Sequence, residues 1–246
     1  MSEDILTVMW KEFKGLLRYS SSRWKAIVIL LTPIALFGIL LPIQFRDIWL
    51  TTGWSVIVSV ITPLMLIATT IAESFAGERE RHTLETLLSS RLPDRAILFG
   101  KMLTSVIFGW GMTMFLLLVS LLVVNIFMWN GGFQIYQPTI LKINITASLL
   151  TSGMVASLGI LISLRSPTVQ GAAQTIMLLL FMPLMLLQAV VFLLPTFLSK
   201  DAVQTIVERL NFTTIMLVFL AVLLLANIGL FLGVLARFKR SRLILS

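Results

Sequence analysis

The sequence predicts an all-α integral membrane protein: six transmembrane helices, an N-terminal interfacial amphipathic helix, and a cytoplasmic helix between spans two and three. Composition is the first observation behind this. Of 246 residues, 58% are hydrophobic and 12% charged, with a mean hydropathy of +0.99, whereas a soluble domain carries about 25% charged residues. The second is distribution, because the missing charges leave long charge-free runs rather than a uniformly greasy chain. The third is length: a span takes about 20 apolar residues, so six spans with their turns use up the chain. A barrel is excluded because its strands alternate apolar and polar residues, whereas Phe115 to Val124 is almost continuously aliphatic. A helix also satisfies its own backbone in lipid.

Residues 1–246 read as a single domain, with an interfacial helix in 1–25, a bundle in 26–236 and a basic tail in 237–246. Between residues 3 and 22, Ile5, Leu6, Met9, Trp10, Phe13, Leu16 and Leu17 recur at helical spacing, with Lys11, Lys14 and Arg18 on the remaining surface. That pattern describes a helix lying along a membrane surface rather than an unstructured basic tail. Stretches free of Asp, Glu, Lys and Arg place the spans near 26–45, 51–72, 102–128, 144–164, 171–195 and 212–236. The first is not a cleaved signal peptide, since about 25 residues precede it and no small-x-small site follows it. Trp24, Trp49, Trp54 and Trp129 fall near span ends, where indole rings settle at the interface. Pro33, Pro42, Pro63 and Pro183 are expected to kink or end helices.

Two segments are not simple spans. From Glu73 to Lys101, Leu84, Leu87, Leu88 and Leu92 repeat at three- and four-residue spacing after the charged run Glu78, Arg79, Glu80, Arg81 and Glu85. A short amphipathic helix follows, with its acids at the positive end of the dipole. Pro93 and Asp94 restart the chain into span three. A solvated linker needs no such leucine period, so this element is read as one that docks on a partner. Between spans five and six, Val203, Ile206, Val207 and Leu210 keep helical spacing in an otherwise polar stretch, 196–211, expected to dip back into the membrane as short interfacial helices.

Charge sets the orientation. With both termini in the cytoplasm, fifteen of the 19 basic residues lie on the inside, leaving Arg46, Lys142, Lys200 and Arg209 outside. The net charge of +8 therefore reads as topology and attraction to anionic headgroups, and nucleic acid is not an expected partner.

The spans offer little chemistry. None contains an acid or a base, which argues against proton coupling and voltage sensing. With no cysteine and His82 as the sole histidine, there is no metal set, and no catalytic or cofactor-binding group is expected. The neutral polar residues Asn125, Gln170, Gln174, Gln188 and Asn227 either line a pathway or bond neighbouring helices, packing being the commoner use. Small residues recur at Ser148, Ser152 and Ala156 and at Gly229 and Gly233. Gly100-Lys101 is not a phosphate loop, because Met102 follows and no glycine stands five residues earlier. The glycosylation patterns at Asn144 and Asn211 sit against span starts and are read as chance matches.

The run Glu78-Arg79-Glu80-Arg81-His82-Thr83-Leu84-Glu85-Thr86-Leu87-Leu88, followed by Pro93 and Gly100-Lys101, resembles the E-x-E-x-x-T-L-E-x-L-L…P…G-K signature of type 2 ABC transporter permeases. The architecture is similar over essentially the whole chain, the motif over about 25 residues. It departs at His82, where glycine is usual. The resemblance implies a permease in the plasma (inner) membrane that pairs with a second permease copy or a homologous permease. It also implies a separate ABC ATPase, which would hold the ATP and magnesium. The segment after span two would be the coupling helix, with Glu78, Glu80, Thr83, Leu84, Glu85 and Leu88 as its docking elements. The chain is then the transmembrane subunit of an ATP-driven exporter and not itself an enzyme. The alternative is a nucleotide-independent channel, scramblase or membrane scaffold. An intramembrane enzyme is disfavoured, because the spans supply no acid–base pair.

Overall fold

The computed structural model describes residues 2–18, 31–83, 91–129, 131–197 and 211–237, whose regular structure is all helical. Helix α1 (Ser2–Arg18) opens with Glu3 and Asp4 in its first turn, where acids suit the helix dipole. It packs along the start of the long helix that begins at Asp94, burying Val8 while Leu6 and Trp10 stay exposed. Helix α2 (Leu31–Phe45) is apolar but short. Its middle, Ile34–Leu40, is π-helical, so that Leu41 N–H bonds Leu36 O, five residues back, just before Pro42. Proline has no N–H to give, and a wider turn beside it re-routes the ladder. The expected span 26–45 thus falls partly outside the described residues. Five helices among those described are long and apolar enough to cross a membrane.

Beyond the short α3 (Ile48–Thr51) come α4 (Trp54–Glu80), α5 (Asp94–Phe127), α6 (Pro138–Ser163), α7 (Val169–Phe197) and α8 (Phe212–Arg237). Pro93 stands immediately before α5 in an extended conformation and Asp94 is its first residue, the restart that this pair predicts. Two spans are longer than their charge-free runs. Helix α4 continues past residue 72 to Glu80, and α5 begins at Asp94 rather than 102. Charge ends an apolar run without ending a helix, and the extra turns find ionic partners, described below.

Helices α4 and α6 form the centre. They run in the same direction: Ser55 meets Asn144 near the start of both, and Ile71 meets Gly159 towards their other ends. Gly159 is a close-approach position, since a Cβ there would stand 2.2 Å from Ile71 Cγ2. One apolar cluster joins Ile67, Ile71 and Phe75 of α4 to Ile97 of α5, Ile160 of α6 and Ile176 of α7. A second, at the other end, gathers Trp49, Leu50, Val56, Leu117, Tyr136 and Ile140. Burial falls away outward: of the most apolar stretch, 61% is buried in α4 and 50% in α6, but 28% in α5, 12% in α7 and 6% in α8.

Trp49 departs from its expected interfacial place. It is 1% exposed, and its indole Nε1 donates to Tyr136 Oη at 3.3 Å, itself 2.6 Å from Ser120 Oγ. Burial pushes the Tyr136 phenol above its ordinary value, against the opposing pull of the Ser120 and Trp49 hydrogen bonds. Trp54 is exposed and stacks on Phe45, with centroids 4.6 Å apart, and Trp129 is exposed. Trp24 lies outside the described residues.

Candidate functional site

The chemistry of this chain gathers where α4 ends. Thr83 N–H bonds Glu78 O at 2.9 Å and His82 N–H bonds Arg79 O at 3.0 Å, the paired closure of a Schellman motif. In that motif one residue takes a left-handed backbone, usually glycine. Here it is His82, at φ 56°. The geometry therefore supplies a reason why glycine is usual at this point of the signature. The His82 side chain is exposed.

Just before that closure, successive side chains of α4 fasten three other elements. Glu78 Oε1 lies 3.1 Å from Lys101 Nζ of α5 and 2.6 Å from Lys11 Nζ of α1. Lys101 also reaches Glu12 Oε1 of α1 at 2.9 Å and donates to Ser74 O. Its ammonium stands 5.0 Å from the centroid of the Phe75 ring, with the side chain fully buried. A buried ammonium is tolerated only when its charge and donors are matched, and here two carboxylates, a carbonyl and a ring face do so. Burial acts to lower the Lys11 pKa, but the Glu78 hydrogen bond and charge, with Glu12 beside it, hold it above the ordinary lysine value.

Gly100 explains how α1 comes so close. A Cβ there would stand 2.6 Å from Val8 Cβ and Cγ1 and 3.3 Å from Ile5 O. Gly100 thus admits α1 against α5, and Lys101 ties it down. In the sequence the pair was legible as the G-K of the signature and as a failed phosphate loop, but not as a contact, because that depends on a helix that begins almost one hundred residues earlier.

The next two residues face the α6–α7 turn. The Arg79 guanidinium donates to Leu164 O and, at 3.4 Å, to Ser166 O, while Glu80 Oε2 accepts from Val169 N–H at 3.1 Å. Arg81 pairs with Glu73 about two turns back along α4. Of the expected docking residues, Glu78 and the exposed Glu80 thus bond other helices of this chain, and Thr83 lies exposed at the helix terminus. Leu84, Glu85 and Leu88 lie outside the described residues, as does most of 196–211.

The neutral polar residues divide. Asn125 Nδ2 donates to Gln134 O at 2.8 Å and Gln134 N–H returns to Asn125 Oδ1 at 2.7 Å, pinning the α5–α6 connection. Asn227 Nδ2 reaches from α8 to Leu150 O of α6 at 2.6 Å, where Gly153 leaves room for it. Gln170, Gln174 and Gln188 are exposed on α7. Missing from the sequence reading was Asn144, fully buried, whose amide oxygen accepts from Ser59 Oγ at 3.1 Å and whose Nδ2 donates to Ser55 Oγ at 3.0 Å. Its one signal was the i, i+4 spacing of Ser55 with Ser59 and of Asn144 with Ser148.

Neither the curated proteins nor the solved structures compared with the chain gave a match. The model of the ABC-2 type transporter membrane family matches residues 3–188, from the first turn of α1 into α7 and through the whole charged node. Apolar helices of membrane-crossing length and a match over most of its length lead to one conclusion: the chain belongs to the ABC-2 type transporter family and is a type 2 ABC transporter permease.

Proposed function

We propose that this permease is the membrane half of an ATP-driven exporter, moved by a separately encoded ATPase that docks on the segment following α4. The observation that carries the reading is the family match running through the signature between α4 and α5. In this reading the charged node faces the cytoplasm with both termini, as the basic residues favour, in the plasma (inner) membrane. Helix α1 lies at the inner interface with Leu6 and Trp10 towards lipid. Glu78 and Glu80 brace the base of the coupling segment, while Thr83, Leu84, Glu85 and Leu88 meet the ATPase, leucines anchoring and the acid selecting. ATP and magnesium belong to that partner. A second permease copy covers part of the exposed apolar surface of α7 and α8. The ATPase shifts the permease only by holding it differently in two states.

Co-purification of the permease with a cytosolic ATPase tests this reading. Association is expected with the parent chain and is lost on replacing Glu85 with Lys and Leu88 with Ala. Undiminished association of that variant, or protease mapping that puts residues 84–90 outside the cell, overturns it.

A further inference from the structure

Resting on the coupling proposed above, we infer that Arg79 and Glu80 are positioning residues that carry movement from the end of α4 to α7. Their geometry sets them apart from the rest of the signature. The neighbouring Glu78 points to α1 and α5, whereas Arg79 and Glu80 reach the turn joining α6 to α7. Arg79 donates to Leu164 O, at the C-cap of α6, and to Ser166 O in the turn that follows. Glu80 accepts from Val169 N–H, the first residue of α7. A cation thus meets the negative end of one helix dipole and an anion the positive end of the next, each through charge-assisted hydrogen bonds.

This grip spans the turn. Thr168 Oγ1 accepts from Gly171 N–H at 3.2 Å, so α7 also has a local cap, and Glu80 adds a bond to a different helix. Gly77 keeps the approach close, because a Cβ there would lie 3.4 Å from Val169 Cγ2 and 2.9 Å from Glu73 Oε1. Helix α7 also meets α4 through Ala172, Ile176 and Leu180 in the apolar cluster, while most of its outer length is exposed. To that non-directional packing the two adjacent charged side chains add directional bonds that fix the first turn of α7 to the end of α4. Opposite charges on consecutive residues suit this, since both helix ends at the turn are gripped from one point.

The test uses labels on the permease–ATPase complex, and the native chain contains no cysteine to interfere. Single cysteines replace His82, just past the end of α4, and Gln170, in the first turn of α7. Both are exposed. In the parent complex, ATP with vanadate is expected to change the label signal at both positions. In R79M/E80A the signal at 82 still changes and the signal at 170 is lost. R79K/E80Q, which keeps a donor and an acceptor, restores it. An unaltered response at 170 in R79M/E80A overturns the inference. If neither label responds in the parent complex, the coupling reading itself fails. Should R79M/E80A not fold, E80A alone carries the same comparison, with loss at 170 expected and full retention overturning.

Discussion

Lys101 Nζ lies 2.9 Å from Glu12 Oε1, across 89 residues of sequence, and Lys101 and Lys11 share Glu78 Oε1, at 3.1 and 2.6 Å. Replacing Lys101 with Met leaves two largely buried carboxylates with Lys11, itself half exposed, as their cation. Removing one partner of a buried pair costs about 3 kcal/mol, of which Lys11 offsets a part. Denaturation in detergent is expected to show that loss, with α1 newly open to protease. A protected α1 and unchanged stability in K101M count against the node.

Lys11 gives the node a pH dependence whose sign is fixed. Burial lowers its pKa, but the Glu78 hydrogen bond and charge, with Glu12, raise it further, leaving the group above 10.5 in the folded chain. A raised lysine contributes its full stabilisation below the unfolded value and loses it as pH climbs through the folded value. The mobility of a spin label on α1 is therefore expected to stay constant about neutrality and to rise only beyond pH 10.5. K11M removes Lys11's share of that alkaline step. An equal rise at mildly acidic pH contradicts the assignment.

Gly100 is a steric requirement of α1. The Cβ of G100A meets Val8 at 2.6 Å, so α1 must shift away and take Glu12 from Lys101. In a V8G background the severe contact is gone and Ile5 O at 3.3 Å is the tightest that remains, although glycine there costs about 1 kcal/mol of helix propensity. G100A is expected to destabilise the parent far more than it destabilises V8G. Equal effects in the two backgrounds show that α1 does not cross at this glycine.

His82 is the reverse case. A non-glycine residue in the left-handed region carries a penalty of about 1 kcal/mol, so H82G is expected to stabilise the end of α4 by about that amount. Thermal unfolding measures it. A fall in stability shows instead that the His82 side chain contributes more than its backbone costs.

Asn144 and Asn227 separate a central tie from a peripheral one. Hydrogen bonds between membrane helices average about 0.6 kcal/mol and reach about 1.7. N144L removes bonds to both Ser55 and Ser59 inside the α4–α6 interface and leaves their hydroxyls in an apolar cleft, so its loss is expected near the upper figure. N227A frees Leu150 O at the thinly buried α8, and its loss falls near the lower one. Equal losses contradict the central placement of Asn144.

Fold was legible where a local rule decides it. Apolar runs located the long helices, and Pro93 with Asp94 marked the start of α5, because lipid and proline act on the residues at hand. Helix ends were misplaced wherever charges were assumed to mean loop. Glu78, Arg79 and Glu80 remain helical because their partners come from elsewhere in the chain. The same blindness hid the ionic partners of Lys101, the hydrogen bonds of Asn144 and the burial of Trp49. Each is defined by a neighbour more than 80 residues distant, and no local period records such a meeting.

The outward fall in burial from α4 and α6 to α8 also orders events during synthesis. The helices that hold one another most tightly emerge first, so α4, α5 and α6 can settle together before the last two spans leave the ribosome. Late arrivals then attach to a finished scaffold along one face each, Val234 of α8 and Ile176 of α7 in the apolar cluster and Asn227 at Leu150. A chain truncated after α6 should therefore retain most of its internal order, while one shortened from the other end should not.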